Sequence, residues 1–173
     1  DLDNLTANIE RLQVYLAEHG IANRPHIKTH KIPEIAHMQI NAGAVGITCQ
    51  KVGEAEVMAQ AGIEDIFIPY NILGDSKLER LTNLAKRATI SVTADSVTTV
   101  QGYAQAAQAA GIELPVLVEF DAGTGRCGVQ TPQEAADLAA VIASSPGLRF
   151  AGLMNYPNLN AADEFITEAT QLI

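Results

Sequence analysis

The sequence contains little cysteine, few aromatic residues and few basic side chains for its length. Of its 173 residues, two are cysteines, none is tryptophan, and 11 lysines and arginines stand against 20 aspartates and glutamates. Cys49 and Cys127 form no C-x-x-C pair, which argues against a disulfide scaffold or a cysteine zinc knuckle and favours a reduced, cytoplasmic setting. The net charge of −9 argues against nucleic acid or an anionic membrane surface as the main partner.

Long apolar runs are missing as well. No stretch approaches the roughly 18 apolar residues that a membrane span needs, and no signal peptide precedes the first helical pattern. The 47% hydrophobic composition is enough for the core of one ordinary domain, which we predict to cover residues 1–173. The sequence begins at Asp1 and stops at Ile173 inside helical patterns, which we interpret as an internal fragment of a longer protein.

Predicted helices and strands alternate along the chain. The helices cover residues 2–19, 33–42, 52–61, 76–86, 97–110, 132–143 and the chain from about 161, and the strands cover 24–31, 44–49, 65–70, 89–93, 115–120 and 148–154. A glycine follows a small residue or proline before four of the strands, at Gly43, Gly62, Gly111 and Gly147. Six units in series predict an α/β fold, a (β/α)8 TIM-barrel-type domain present as an incomplete barrel, with an open doubly wound sheet as the alternative.

The most unusual stretch is the octamer 24–31, which reads R-P-H-I-K-T-H-K. As an extended strand it would direct Ile27 and Thr29 to one face, and the opposite face would be cationic, carrying Arg24, His26, Lys28 and His30. A lysine beside other cations in a partly desolvated pocket has its ammonium form disfavoured, which yields an amine that can attack an aldehyde. Lys28 is therefore a candidate nucleophile, and a basic surface strand or an anion-binding patch is the alternative.

Polar residues follow the predicted strands, where a barrel has its functional face. They are Lys28, His30, Gln50, Asn71, Asp95, Asp121, Asn155 and Tyr156. A glycine-rich loop after the fifth strand carries Arg126 but lacks both the Walker lysine-serine pair and a dinucleotide-binding pattern. Tyr156 can stack on a flat ring, hydrogen-bond through its hydroxyl, or pack under the next helix.

Three motifs together resemble a known family. They are R-P-H-x-K-x-H-K at 24–31, E-x-D-x-G-x-x-R-C-G-V at 119–129 and G-L-x-x-Y-P at 152–157. They are similar to the D-threonine aldolase and eukaryotic-type D-serine dehydratase family, fold-type III pyridoxal-phosphate enzymes related to alanine racemase. The resemblance extends over nearly the whole chain and implies the N-terminal barrel domain of that family, without its C-terminal strands and β-domain.

The resemblance also implies roles for individual residues. Lys28 would be the Schiff-base lysine, in preference to Lys31, and Arg126 and Tyr156 would lie at the ring of pyridoxal 5'-phosphate. Further cofactor-binding residues would be His26, His30 and Gln50, with Asn71 and Asp95 in the wall of the site. The divalent metal of the family is bound outside the part that this chain resembles, so no metal ligand is assigned, and Cys49 and Cys127 are not given that role.

The implied function is a pyridoxal-phosphate-dependent lyase that acts on a D-amino acid, as a homodimer in the full-length protein. After Tyr156-Pro157 the chain continues N-L-N-A-A, without the histidines that follow in aldolase members. This departure argues against aldol cleavage and leaves aldolase, dehydratase and racemase chemistry open. A non-catalytic pyridoxal-phosphate-binding barrel that handles cofactor supply is the alternative from another class of protein.

Overall fold

The computed structural model describes residues 1–157 and shows helices and strands in alternation. The helices are α1 (Leu2–Glu18), α2 (Pro33–Asn41), α3 (Val52–Gln60), α4 (Asp75–Ala85), α5 (Val97–Ala110) and α6 (Pro132–Ser144). The strands are β1 (Ile47–Thr48), β2 (Asp65–Ile68), β3 (Thr89–Ala94), β4 (Leu114–Phe120) and β5 (Leu148–Asn155). The six helices predicted in this range are confirmed, whereas the helix predicted from about residue 161 lies outside the described residues. No helix within residues 1–157 is both long and apolar enough to cross a membrane.

Local signals set the helix ends. The side chain of Thr131 accepts a hydrogen bond from Glu134 N, and Glu134 reaches back to the Thr131 backbone, a capping box that starts α6 with Pro132 in its first turn. Gly111 ends α5 with φ +65°, a left-handed conformation that glycine adopts without a steric penalty. Such signals lie within a few residues of the boundary they set, so the sequence alone reveals them.

The chain divides into two compact units. Unit 1 comprises Asp1–Ile68 and Asn83–Ile90, and unit 2 comprises Pro69–Thr82 and the chain from Ser91 onward. In unit 1, β1 pairs with β2 in parallel, with Ile47 opposite Ile66. These two side chains are fully buried together with Ile27, so a small apolar core supports the turn that carries Lys28.

Unit 2 contains two parallel strand pairs. Strand β3 pairs with β4 and β4 pairs with β5, with Val92 opposite Val116 and Leu114 opposite Leu148. Strand β5 is not buried on both faces, because Leu153 is 61% exposed. Within each unit, parallel neighbours in the sheet follow one another in the chain, as they do in a β/α barrel.

The prediction of a strand over residues 24–31 is wrong. Only His26 forms a parallel bridge, to Thr48, and Ile27–Thr29 forms a single turn of 3-10 helix. The imidazole Nδ1 of His26 accepts a hydrogen bond from Lys28 N at 3.2 Å, which caps this turn. The described residues therefore form five strands where six were predicted, with an isolated bridge at His26 in place of the first strand. The predicted alternation of faces also fails, because Ile27 is buried while Thr29 is exposed.

Candidate functional site

The sequence-predicted site residues fall into two groups, one in each unit. Unit 1 holds His26, Lys28, His30 and Gln50, and unit 2 holds Arg126 and Tyr156. Each group is built from its own local structure.

Lys28 lies in an exposed turn between two histidines that serve as caps. Before it in the chain, His26 Nδ1 accepts a hydrogen bond from Lys28 N at 3.2 Å. After it, His30 Nδ1 accepts a hydrogen bond from Ile32 N at 3.0 Å. A ring nitrogen that accepts a hydrogen bond carries no proton, so this arrangement requires both imidazoles in the neutral form with the proton on Nε2. Both histidines therefore hold the backbone around Lys28 without adding positive charge.

The surroundings of His26 favour its neutral form. Burial lowers the pKa of His26, and the nearby Lys28 ammonium lowers it further, against the opposing effects of a hydrogen bond with Gln50 and the charge of Glu54. Burial also lowers the pKa of His30. The two histidines and Gln50 thus form a polar but uncharged frame beside one ammonium group.

Lys31, the second lysine of the octamer, has a different environment. Its Nζ lies 3.0 Å from Glu54 Oε1, and its φ of +55° makes it a non-glycine residue in the left-handed region. Burial raises the pKa of Glu54, but hydrogen bonds from Lys31 and from Gln50 N and the charge of Lys31 outweigh burial and bring the pKa below its usual value. Lys31 is therefore the partner of a largely buried carboxylate.

Arg24 also has a structural role, since its guanidinium binds both carboxylate oxygens of Asp65 at 2.8 and 3.1 Å. Asp65 is the first residue of β2, so Arg24 is directed to the amino end of that strand. Gly46 leaves room for it, because a Cβ at that position would collide with Arg24 Nη1 and come within 2.7 Å of Asp65 O. The predicted cationic face that groups Arg24 with Lys28 is wrong, because this side chain is fixed by an ion pair.

The second group depends on the arginine loop, which we define as Asp121–Gly128. One carboxylate oxygen of Asp121 accepts hydrogen bonds from Thr124 N at 2.9 Å and Gly125 N at 3.1 Å, and this folds the loop. Gly128 closes it with φ +108°, and a Cβ there would lie 2.5 Å from Asp121 N. The loop returns to β4, where Val129 N donates to Glu119 O at 2.9 Å.

The arginine loop places Arg126 over Tyr156. The guanidinium carbon lies 4.7 Å from the centroid of the tyrosine ring, within the range of a cation–π interaction. Both side chains are exposed, with Tyr156 48% accessible. A planar cation stacked on an aromatic ring can bind a flat, negatively charged aromatic molecule, and the structure brings together two residues that the motifs indicate separately.

A cluster that the sequence did not indicate adjoins this loop. Glu119 on β4 is 2% exposed, and burial together with the charge of Asp95 raises its pKa, although Arg126 lowers it. One ligand atom each of Asp95, Glu119 and Cys127 lies within 4.8 Å of the others. Glu119 lies inside the apolar strand V-L-V-E-F and, with Cys127, belongs to the motif at 119–129, so the sequence indicated these two residues but not their convergence with Asp95.

Tyr103 on α5 is a second feature that sequence reasoning missed. It is fully buried; its hydroxyl accepts a hydrogen bond from Ile72 N at 2.9 Å and donates one to Thr93 O at 3.0 Å. Asn71, in the same segment, accepts from Asp95 N through Oδ1 at 3.3 Å. Asn71 and Asp95, predicted as wall residues, are thus in hydrogen-bond contact. Tyr103 binds the backbone of the same two segments, at Ile72 and Thr93.

Comparisons with known proteins agree with this architecture. The sequence profile described as "Alanine racemase, N-terminal domain" matches residues 1–172. The chain is 44% identical over 156 residues to D-threonine aldolase of Arthrobacter sp. and 39% identical over 164 residues to 3-hydroxy-D-aspartate aldolase of Paracoccus denitrificans. These alignments cover 90% and 94% of this chain but 41% and 42% of the two relatives.

A solved structure of D-threonine aldolase from Filomicrobium marinum is similar over 98% of this chain and 47% of its own length, with a TM-score of 0.92 and 41% identity. The chain therefore spans less than half the length of each of these three relatives.

Proposed function

The chain belongs to the family of alanine racemase N-terminal domains, and we propose that it forms the cofactor-binding barrel of a pyridoxal-phosphate-dependent lyase acting on a β-hydroxy D-amino acid. One observation carries this proposal more than any other. In the octamer 24–31, Lys28 is exposed between two histidines that cap its turn in the neutral state, while Lys31 is paired with Glu54. The motif thereby places Lys28 in an exposed turn framed by neutral imidazoles, and it places Lys31 in an ion pair with the largely buried Glu54.

The residues present fit pyridoxal phosphate by the chemistry of their functional groups. When bound, this cofactor supplies an aldehyde for an amine and a ring that withdraws electrons from a bond broken at the substrate α-carbon. In unit 1, Lys28 contributes the Nζ amine for the aldehyde. Neutral His26 and Gln50 beside it supply hydrogen-bonding groups without a competing charge.

In this proposal, unit 2 contributes the aromatic and the cationic side chain that contact the cofactor ring. Tyr156 offers a ring face, and Arg126, stacked 4.7 Å above it, offers a charged N–H fork to an anionic ring substituent or a ring nitrogen. The hydrogen bonds of Asp121 to the loop backbone hold Arg126 at a defined place. We assign Lys28 and the Arg126–Tyr156 pair to the same cofactor because of the motifs and the relatives.

The names of the relatives support the substrate class. D-threonine and 3-hydroxy-D-aspartate are both D-amino acids with a hydroxyl on the β-carbon. Aldol cleavage of such a substrate releases glycine and an aldehyde, whereas elimination releases water and then ammonia with a 2-oxo acid. Both relatives are named aldolases, so we propose aldol cleavage, against the expectation drawn from the histidine-free N-L-N-A-A segment. That segment lies outside the described residues.

The cofactor assignment is tested by reduction. Pyridoxal phosphate is added to the protein, the mixture is reduced with borohydride, and the modified peptide is identified by mass spectrometry. We expect a phosphopyridoxyl group on Lys28 in the wild type and in Lys31→Met, and none at this position in Lys28→Ala. A folded wild-type protein that carries the group on another lysine, or on none, would contradict the proposal.

The reaction is tested by its products. Incubation with D-threonine and D-threo-3-hydroxyaspartate, with and without divalent metal, should release glycine. Release of ammonia and a 2-oxo acid would identify a dehydratase, and conversion of D-alanine to L-alanine would identify a racemase. Labelling of Lys28 without turnover of any of these substrates would favour a non-catalytic pyridoxal-phosphate barrel.

Three wider expectations remain part of the proposal. We propose that residues 1–173 act as one cofactor domain, that the full-length protein is a homodimer, and that it works in the cytoplasm. Chemical cross-linking of the full-length protein, compared with size-exclusion chromatography, tests the dimer directly.

A further inference from the structure

Three side chains capable of binding a cation converge in unit 2, and the proposed function uses none of them. One ligand atom each of Asp95, Glu119 and Cys127 lies within 4.8 Å of the others. Asp95 directly follows β3, Glu119 lies on β4, and Cys127 belongs to the arginine loop. Three separate segments therefore supply two carboxylates and one thiol to the same point.

Glu119 provides a second, independent observation. The residue is 2% exposed, and its Oε2 is buried without a hydrogen-bond partner in the described part of the chain. A buried carboxylate oxygen without a donor is strongly disfavoured, and a bound cation or a proton removes the imbalance. The Glu119 carboxylate also supplies one of the ligand atoms that converge with Asp95 and Cys127, so the unpartnered oxygen belongs to the carboxylate that would bind the cation.

The arginine beside the cluster does not fill this place. Arg126 adjoins Cys127 in the chain, but its guanidinium carbon lies over the ring of Tyr156. Burial and the charge of Glu119 raise the pKa of the Cys127 thiol, and Arg126 opposes this shift. Arg126 does not supply the donor that Glu119 Oε2 lacks.

The backbone holds the three groups in place. Gly128 N donates to Asp95 Oδ2 at 3.2 Å, which fixes the peptide after Cys127 against the carboxylate. A side chain at Gly128 would collide with Asp121 N and Phe120 C, so this close approach depends on glycine. Asn71 Oδ1 accepts a hydrogen bond from the backbone N of Asp95 at 3.3 Å, which fixes the backbone that carries this carboxylate. The ligand set is therefore positioned before any ion binds.

We propose that Asp95, Glu119 and Cys127 form a binding site for a thiophilic divalent cation such as Zn²⁺. A sulfur ligand selects against Mg²⁺ and Ca²⁺, which take oxygen ligands, and favours zinc and ions that imitate it. Three protein ligands leave the fourth tetrahedral position for water, as in zinc sites that exchange ligands. The inference goes beyond the proposed function, since it assigns an ion to residues of this chain and requires no bound cofactor.

The experiment uses Co²⁺, which reports its ligands by absorption. Co²⁺ is titrated into the reduced, cofactor-free protein, and the thiolate-to-cobalt charge-transfer band and the visible bands are recorded. We expect the charge-transfer band in the wild type and in Cys49→Ala, whose buried thiol lies in unit 1, and its loss in Cys127→Ser. Glu119→Gln should weaken Co²⁺ binding by about 10-fold or more, because it removes a charged ligand.

A second measurement keeps the inference testable if Cys127→Ser fails to fold. Zn²⁺ should slow alkylation of Cys127 in the wild type, measured peptide by peptide, and Asp95→Asn should weaken this protection while retaining an acceptor for Gly128 N. A charge-transfer band that survives in folded Cys127→Ser would show that another thiolate binds the ion, and alkylation of Cys127 that Zn²⁺ leaves unchanged would show that no ion binds this thiol; either result would overturn the inference. Neither result depends on pyridoxal phosphate, so failure here is distinguishable from failure of the proposed function.

Discussion

Lys31 Nζ lies 3.0 Å from Glu54 Oε1, and this ion pair gives Lys31 a different environment from Lys28, the other lysine of the octamer. The carboxylate is almost buried, with its side chain 9% exposed, whereas the Lys31 side chain is 53% exposed. Glu54 also accepts a hydrogen bond from Gln50 N at 2.8 Å. Lys31 thus balances a charge at the start of α3 and belongs to the frame around Lys28.

Replacing Lys31 with methionine should affect stability but leave labelling of Lys28 intact. The change removes the partner of Glu54, and we expect a loss of about 0.5–1 kcal/mol in the free energy of unfolding, because half of the pair is open to water. Urea denaturation measures this loss, with Lys77→Met on the exposed face of α4 as the control. Loss of phosphopyridoxyl labelling at Lys28 in a folded Lys31→Met protein would show that the roles of the two lysines are assigned incorrectly.

His26 should make stability depend on pH. Its pKa in the folded protein is lowered by burial and by Lys28 from the ordinary value of about 6.5. The unfolded chain then binds the proton first, so stability is fully present above the unfolded pKa and is lost as the pH falls toward the folded pKa. Protonation of Nδ1 would also break the cap to Lys28 N.

The variant His26→Asn isolates this effect, since Oδ1 of asparagine can accept the hydrogen bond from Lys28 N but does not titrate. We expect unfolding curves between about pH 5 and 7 to show a smaller loss of stability with acid than in the wild type. Burial lowers the pKa of His30, so His30 should contribute a second part of the acid-induced loss of stability, which His30→Asn removes. If the double variant His26→Asn/His30→Asn lost as much stability with acid as the wild type, the two histidines would not be the source of this pH dependence.

The sequence predicted the helices better than the site because helix boundaries depend on neighbouring residues. Gly111, which ends α5 in the left-handed conformation, was read from the sequence, and the capping box at Thr131 lies within a few positions of the helix start that it sets. The turn within the octamer could not be read from the sequence. It depends on buried Ile27, on two histidines that accept backbone hydrogen bonds, and on Glu54, which lies more distant in the chain. An alternating pattern of polar residues resembles a strand until those contacts are known.

The candidate site was predictable to the extent that its residues belong to motifs. Arg126 and Tyr156 were indicated by two short patterns, and the structure brings them into contact. The convergence of Asp95 with Glu119 and Cys127 depends on the pairing of β3 with β4 and on the return of the arginine loop. The motif at 119–129 contains Glu119 and Cys127, but nothing local in the sequence shows that Asp95 on the neighbouring strand joins them.

Gly128 should tolerate alanine much less well than Gly123 in the same loop. Both have positive φ, +108° and +83°, so alanine is strained at either position by about 1–2 kcal/mol. At Gly123 the new Cβ would meet nothing within 4 Å, but at Gly128 it would lie 2.5 Å from Asp121 N and 2.7 Å from Phe120 C, which are backbone atoms of the strand end.

We expect Gly128→Ala to cost about 1–3 kcal/mol more than Gly123→Ala in the free energy of unfolding, because the loop must move away from β4. Chemical denaturation of the two variants in parallel measures the difference. Equal losses would mean that the loop does not close on β4 in solution as it does in the structure.

Tyr103 should contribute to stability through its hydroxyl. The group is buried and satisfies Ile72 N at 2.9 Å and Thr93 O at 3.0 Å, which ties the segment after β2 to α5 and β3. Tyr103→Phe keeps the ring and leaves a buried N–H without an acceptor, so we expect a loss of about 1–3 kcal/mol. Tyr15→Phe on α1, where the side chain is 57% exposed, should change stability by less than about 0.5 kcal/mol.

Amide hydrogen exchange provides the residue-specific measurement: Ile72 N–H should exchange faster in Tyr103→Phe than in the wild type, while amides within α6 should not change beyond the global loss of stability. If Ile72 stays as protected as in the wild type, another acceptor holds that segment and the assigned role of Tyr103 is wrong.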